Sequence, residues 1–464
     1  MDLIKDLFKG DKVIWIIFLF LCLISIVEVF SAASTLTYKS GDHWGPITQH
    51  SVILMVGVCI VVLVHNIPYK YFRVFPVFLL PLSTLLLIFV MGMGLITGDR
   101  VNGAARWMTF FGIQFQPSEL AKMAVIIVTA FILSKFQEED NANPKAFKYI
   151  MWITGIVFIL IAPENGSTAA LLFGVVFLMM VIGRVPWKQL AKLMGIAGVM
   201  VAFFVGIVMI MPTHKLNKVP MMHRVETWQN RIKGFFEDKA VPAAKYDIDK
   251  DAQIAHANIA IASSNIIGKM PGNSVQRDFL SQAFSDFIFA IIIEELGLLG
   301  GAFVVILYIW LLMRAGKKAR RSEKSFPAFL VMGIALLLVS QAMLNMMVAV
   351  GLFPVTGQPL PLISKGGTST LINCAYIGMI LSVSRYVAEK EEQKAAEQQA
   401  QKEAELAAKT ERHQEMVAAM QEAITTLPSG DNATTSLPPE ENSLPDDLKA
   451  MLNAAGKREP EEEI

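Results

Sequence analysis

The chain has 464 residues, 54% of them hydrophobic, and a mean hydropathy of +0.48, which is more apolar surface than a water-soluble domain can bury. Its 41 basic and 40 acidic residues leave a net charge of +1, and the basic ones sit between apolar runs rather than in a patch that would hold nucleic acid. Cys22, Cys59 and Cys374 all fall inside apolar runs without metal-ligand spacing, which argues against a metal site and against a disulfide framework.

Crossing about 30 Å of hydrocarbon takes roughly 20 apolar residues. Ten runs qualify: 13–35, 48–66, 72–97, 118–135, 147–163, 166–185, 190–212, 286–313, 326–352 and 371–387. The predicted fold class is therefore all-α, a polytopic membrane protein of ten helices. The first run has basic flanks, Lys5, Lys9 and Lys12, and ends in Ser31-Ala32-Ala33-Ser34, which resembles a cleavage site. Its length favours a retained helix over a signal core. Only Pro163, Glu164 and Asn165 separate the fifth and sixth runs, so these two are predicted to form a tight helical hairpin.

Lys and Arg concentrate in alternate loops, which sets orientation. One set holds Lys5, Lys9 and Lys12; Lys70 and Arg73; Lys135, Lys145 and Lys148; Arg184, Lys188 and Lys192; and Arg314 through Lys324. The other short loops hold only Lys39, Arg100, Arg106 and Lys365. Both termini are therefore cytoplasmic, and segments 98–117, 213–285 and 353–370 are external. In the long external loop His223, Arg224, Trp228, Arg231, Lys233, Phe235 and Phe236 recur at helical intervals. They read either as an amphipathic helix on the membrane surface or as a lid beside an anionic head group.

Beyond Tyr386 the composition turns to Glu, Gln, Lys and Ala, then to a Pro/Ser/Gly-rich stretch from Pro428 and an acidic end at Glu461–Glu463. We divide the chain into a membrane domain, 1–387, and a cytoplasmic tail, 388–464, part charged helix and part disordered linker.

Ionisable groups in or beside membrane spans are costly to keep there, so Glu28, Glu119, Lys122, Asp286, Glu294, Glu295 and Lys365 are the candidates for chemistry. Asp286 opens the eighth run at its external end. There it reads either as a general base in a region of falling dielectric or as a helix N-cap. Glu119 and Lys122 are three apart after Pro117 and share a helix face, as a structural ion pair or as a substrate site. Arg106 and Trp107 combine a phosphate-binding fork with an interfacial ring. Pro354–Pro361 breaks any helix, and Ser364-Lys365-Gly366-Gly367-Thr368-Ser369 adds hydroxyls and a cation. Such backbone at membrane depth needs shelter from protein or a polar cavity, so a re-entrant element facing an external cavity is expected. No Walker-type phosphate loop occurs in a cytoplasmic segment, so the chemistry expected here is extracytoplasmic and ATP-independent.

Four segments together resemble the SEDS family of shape, elongation, division and sporulation proteins, which includes FtsW and RodA. They are Gly103–Trp107 with Gln116–Lys122; Pro163–Thr168; Asp286–Phe289 with Glu294–Gly297; and Pro354–Gly357, Pro359–Pro361 and Ser364–Ser369. The resemblance implies a peptidoglycan glycosyltransferase that polymerises lipid II on the external face of the inner membrane. It implies Asp286 as the catalytic aspartate, activating the acceptor hydroxyl. Arg106, Trp107, Glu119, Lys122, Ser364, Lys365, Thr368 and Ser369 are the candidate substrate contacts, with cationic groups offsetting charge on the departing pyrophosphate.

The implied partners are lipid II and the growing undecaprenyl-linked glycan, a class B penicillin-binding protein, other division proteins and membrane lipid, with no nucleic acid. No cofactor is implied, and a divalent cation at the pyrophosphate is left open. The chain departs from the family's pattern where Ser281–Ser285 replaces Pro-Glu-Ala-His-Thr and where Lys365 stands in place of a usual Tyr. The wording of the first span and the long tail favour the division branch, and so the septum, over elongation. The competing readings are a lipid II flippase, a non-catalytic scaffold and an elongation polymerase like RodA.

The orientation has a direct test. Cysteines introduced at Lys215 and Lys245 are expected to react with an impermeant thiol reagent while the inner membrane is sealed; reaction only after it is opened would contradict the ten-span topology.

Overall fold

The apolar runs fold into long helices because a span can satisfy its backbone polar groups only within itself. A computed structural model describes residues 9–32, 44–96, 107–110, 113–139, 141–210, 229, 252–280 and 283–425. Ten helices in it follow the ten runs: α1 (Lys12–Ala32), α2 (Gly45–Asn66), α3 (Phe75–Ile96), α4 (Pro117–Lys135), α5 (Pro144–Ile161), α6 (Gly166–Ile182), α7 (Trp187–Ile210), α9 (Ile288–Arg321), α10 (Ser325–Ala349) and α11 (Gly367–Thr425). Nine are long and apolar enough to cross a membrane. The tenth, α6, has 17 residues and reaches about 25 Å. A further helix, α8 (Ala252–Ser263), lies in the long external loop. The surface helix expected around His223–Phe236 lies outside the described residues.

Local chemistry sets the helix starts. Pro117 and Pro144 occupy the first turns of α4 and α5, and the Asn143 side chain accepts the Lys145 N–H at 3.0 Å. The predicted α5–α6 hairpin is present: Asn165 donates its N–H to the Ile161 carbonyl at 2.8 Å, and its side chain accepts from the Thr168 N–H at 3.2 Å.

One feature departs from a purely helical reading. An antiparallel hairpin, β1 (Met108–Phe110) with β2 (Ile113–Phe115), pairs Met108 with Phe115 in the external loop before α4. The last helix continues well past 387, to Thr425. The chain separates into two compact units, Met1–Gln393 and Lys394–Ile464. In the second, the helix is solvent-exposed from Lys394 to Ala419.

In the first unit α10 packs on α4, α6 and α9 at the centre, while α3 and α7 turn Val77, Phe78, Val199 and Phe203 outward, as lipid-facing helices do. Near the cytoplasmic end the Asp11 carboxylate meets Arg314 at 2.8 Å and Lys318 at 3.4 Å, tying the start of α1 to the end of α9. Burial alone raises the Asp11 pKa; the Arg314 hydrogen bond and the two cations outweigh it and hold the carboxyl below its usual range.

α9 is broken at Gly297, whose φ of 73° and ψ of −176° are open only to glycine. In an unbroken helix the N–H groups of Leu298 and Leu299 would donate to Glu294 and Glu295. Instead they donate to Asn265 and Ile266, while Lys269 and Met270 donate to the Glu294 and Glu295 carbonyls, all at 2.7–3.3 Å. The external loop thus supplies the two donors and two acceptors that the break removes. Gly268 makes this crossing with φ 81°; a methyl there would lie 2.3 Å from the Gly297 nitrogen.

The side chains of Glu294 and Glu295, both fully buried, hold the same loop. Glu294 pairs with Lys269 at 2.6 Å and accepts from Ser274 Oγ at 2.5 Å. Glu295 accepts from the Gly272 and Ser274 N–H groups, each at 3.1 Å, and from Ser31.

Gly297→Ala is expected to cost at least about 1–3 kcal/mol from backbone strain alone, beyond the clash of its methyl with the Ile266 carbonyl 2.2 Å away. Gly195→Ala on α7, where a methyl meets nothing within 4 Å, is expected to be neutral or mildly stabilising. Thermal unfolding of the two purified variants in detergent measures the contrast, and equal midpoints would contradict it.

Candidate functional site at the external end of α9

Asp286 lies in the turn 283–287 that leads into α9. The helix N-cap is Phe287, without a side-chain cap bond, so Asp286 does not serve the capping role that its sequence position allowed. Its carboxylate is half-buried and accepts from Ser285 Oγ at 3.1 Å.

Three consecutive carbonyls of this turn are taken by donors remote in sequence. The Lys365 N–H donates to Phe284 at 2.9 Å, Ser364 Oγ to Ser285 at 2.6 Å, and Asn345 Nδ2 to Asp286 at 2.8 Å. These three bonds fix the main chain of the turn that carries the carboxylate.

Two of the donors, Ser364 and Lys365, come from the segment between α10 and α11, where four prolines or glycines between Pro354 and Pro361 keep the backbone out of a helix. Its carbonyls are satisfied one by one from the surrounding helices. Ser167 donates to Thr356 at 2.9 Å, Asn345 to Gln358 at 2.8 Å, Gln341 to Pro359 at 3.1 Å, Tyr308 to Pro361, and Ser25 to Ile363 at 2.6 Å. This is the shelter by protein that non-helical backbone at membrane depth requires.

Ser364 and Lys365 are thus beside Asp286. Ser364 Oγ is occupied, since it also accepts the Leu360 N–H at 2.7 Å. The Lys365 ammonium sits 5.6 Å from the centre of the Phe284 ring, a cation–π contact, and burial lowers its pKa from the ordinary lysine value. Thr368 Oγ1 donates to the Gln114 carbonyl at 3.2 Å and accepts from the Gln116 N–H at 3.4 Å. These bonds tie the β1–β2 hairpin, with half-buried Trp107 at its base, to the start of α11. Ser369 is buried in the first turn of α11. Arg106 lies outside the described residues.

Glu119 and Lys122 form the i,i+3 pair their spacing allows, at 2.8 Å, and Lys122 also donates to Gln341 Oε1 at 2.9 Å. Both are buried. In this arrangement they bear on the site through Gln341 and the Pro359 carbonyl rather than by facing the external surface. Of the remaining candidates, Glu294 and Glu295 hold the external loop. Glu28 is fully buried on α1, with no hydrogen-bond partner for either oxygen.

The sequence reading weighed ionisable groups and so passed over the amides of Gln341 and Asn345. Their presence four apart inside an apolar run was the available signal. Among the described residues no cluster of three or more His, Cys, Asp or Glu is placed to hold a metal ion.

The family model described as "Cell cycle protein", covering FtsW, RodA and SpoVE, matches residues 11–389. A relative from Geobacter sulfurreducens (strain DL-1 / KN400), named "Probable peptidoglycan glycosyltransferase FtsW", is 28% identical over 385 residues, covering 82% of this chain and 96% of its own. One of the same name from Halomonas elongata is 30% identical over 372 residues, covering 78% and 87%.

Among solved structures, a chain from work titled "Structural coordination of polymerization and crosslinking by a peptidoglycan synthase complex" superposes with a TM-score of 0.62 at 23% identity, covering 82% of this chain and 99% of that one. The rod shape determining protein RodA of Thermus thermophilus gives 0.53 at 22% identity, covering 82% and 97%. These two likenesses speak to the fold. With ten helices in the expected order and a family match over most of its length, this chain belongs to the FtsW/RodA/SpoVE family of cell cycle proteins.

Proposed function

We propose that Asp286 is the general base of a glycosyl transfer carried out at the external end of α9. The chain is a peptidoglycan glycosyltransferase, and its substrate is lipid II, a disaccharide carried on a lipid pyrophosphate. The acceptor hydroxyl oxygen attacks the anomeric carbon of the donor sugar, the bond from that carbon to the pyrophosphate breaks, and Asp286 takes the hydroxyl proton.

The observation that carries this reading is a half-exposed carboxylate that caps no helix, on a turn fixed by three remote donors. A base works when its geometry is fixed before the substrate arrives. Lys365, on the peptide bonded to Phe284, supplies positive charge for the departing pyrophosphate, and the start of α11 at Gly367 adds the positive end of a helix dipole. Thr368 and Ser369 lie in that first turn. Trp107 offers a ring for a sugar face, and Arg106 a second cation.

The partner we assign is a class B penicillin-binding protein that cross-links the new strand. The setting is septal cell division, in keeping with the FtsW names of the relatives. The membrane domain, 1–387, carries the reaction, and the tail from 388 carries none of it.

Asp286→Asn is expected to reduce polymerisation of lipid II by purified protein about 10²- to 10⁴-fold while the variant stays folded. Activity within a few-fold of wild type, from a well-folded variant, would refute the base assignment.

The buried pair makes a different demand. Lys122→Ala leaves the Glu119 carboxylate without its cation and is expected to destabilise by about 3–5 kcal/mol, whereas the double change Glu119→Gln with Lys122→Met costs much less. Thermal unfolding separates these outcomes. Equal stability with activity lost in both would instead favour direct contact with substrate.

A further inference from the structure

α10 carries two buried amides one turn apart, Gln341 and Asn345, at 2% and 1% exposure. Gln341 spans from Lys122 to the Pro359 carbonyl. Asn345 uses both hydrogens of one amide nitrogen, at 2.8 Å each, on the carbonyls of Asp286 and Gln358. Gln358 is fixed in turn by donating from its own amide to Thr168 Oγ1 of α6 at 2.6 Å. Asn345 Oδ1 is buried without a partner. The side chain is therefore oriented by its donors, since a flipped amide would set oxygen against two carbonyl oxygens.

We propose that Asn345 is a positioning residue for the glycosyl transfer: one amide nitrogen joins the main chain of Asp286 to Gln358 in the re-entrant segment and so sets where the carboxylate meets the acceptor hydroxyl. This rests on the reading of Asp286 as general base. Few side chains can replace Asn here. A carboxylate of the same shape has no donor and repels both carbonyls, leucine has the volume without the hydrogens, and glutamine is a methylene too long.

The neighbouring carbonyls of Phe284 and Ser285 keep their own donors, Lys365 and Ser364, when Asn345 is removed. The turn then stays in place while the peptide of Asp286 loosens. Asn345 touches no substrate in this account, so its loss acts on turnover and leaves binding nearly alone.

The test is steady-state polymerisation of lipid II by the purified full-length chain in detergent. It compares wild type, Asn345→Leu, Asn345→Ser and Asp286→Asn, with unfolding temperatures recorded. Displacing a reacting group by about 1 Å costs on the order of 100-fold. Asn345→Leu is therefore expected to lower kcat about 10- to 100-fold with KM within about threefold. Asn345→Ser, which keeps one hydroxyl donor, is expected to fall between Asn345→Leu and wild type.

A rise in KM at unchanged kcat would overturn the proposal. So would a wild-type kcat for Asn345→Leu beside an inactive Asp286→Asn. If Asn345→Leu does not fold, Asn345→Ser decides: wild-type kcat at unchanged stability contradicts the positioning role. Normal polymerisation by Asp286→Asn would remove the reading of the site beneath it.

Discussion

A backbone that leaves the helix at membrane depth must find a partner for every polar group it frees, and this constraint organises the external half of the molecule. It is met twice. At Gly297 the broken α9 exchanges two donors and two acceptors with the external loop, so that loop and helix become one body. Between Pro354 and Ser364 the carbonyls are met by single side chains from α1, α6, α9 and α10. Asp286 stands between these two constructions, on a turn bonded to the second and at the head of the helix that contains the first.

The consequence for chemistry is preorganisation. A carboxylate on an ordinary external loop would sample many positions, and ordering it would weaken every encounter with substrate. Here the ordering is supplied when the chain folds, by hydrogen bonds that are strong because little water competes for them. The buried Glu119–Lys122 pair and the Gln341 and Asn345 amides extend that support inward from the site. The proposed catalytic group at the water interface is thereby anchored to two largely buried helices, α4 and α10.

Much of this was legible in the residues, and the remainder was hidden for physical reasons. Apolar run length gave the ten helices, and Pro163-Glu164-Asn165 gave the α5–α6 hairpin. The prolines of 354–361 announced a non-helical segment, because proline cannot continue a helix. The i,i+3 spacing of Glu119 and Lys122 foretold their contact. Spacing along a chain does not reveal partners far away in it, so Asn345 could not be matched to Asp286, nor Ser25 to Ile363. Whether Asp286 caps α9 was likewise open until Phe287 proved to occupy the cap. Gly297 was visible only as part of the Glu-Glu-Leu-Gly motif, since a helix-compatible sequence on both sides conceals a break that depends on the loop crossing it. The β1–β2 hairpin was missed because its strands are three residues each and lack a long alternating pattern.

The central claim is that this membrane domain performs covalent chemistry at its external face rather than carrying a lipid across. Detergent removes the two compartments that transport requires and leaves glycosyl transfer untouched. The most direct measurement is therefore the product formed from lipid II by the purified wild-type chain with its transpeptidase partner in detergent, resolved by length before and after digestion with a muramidase. The account predicts glycan polymer that the muramidase degrades. Unreacted lipid II in detergent, together with lipid II crossing the bilayer of vesicles that hold the same protein, would contradict it.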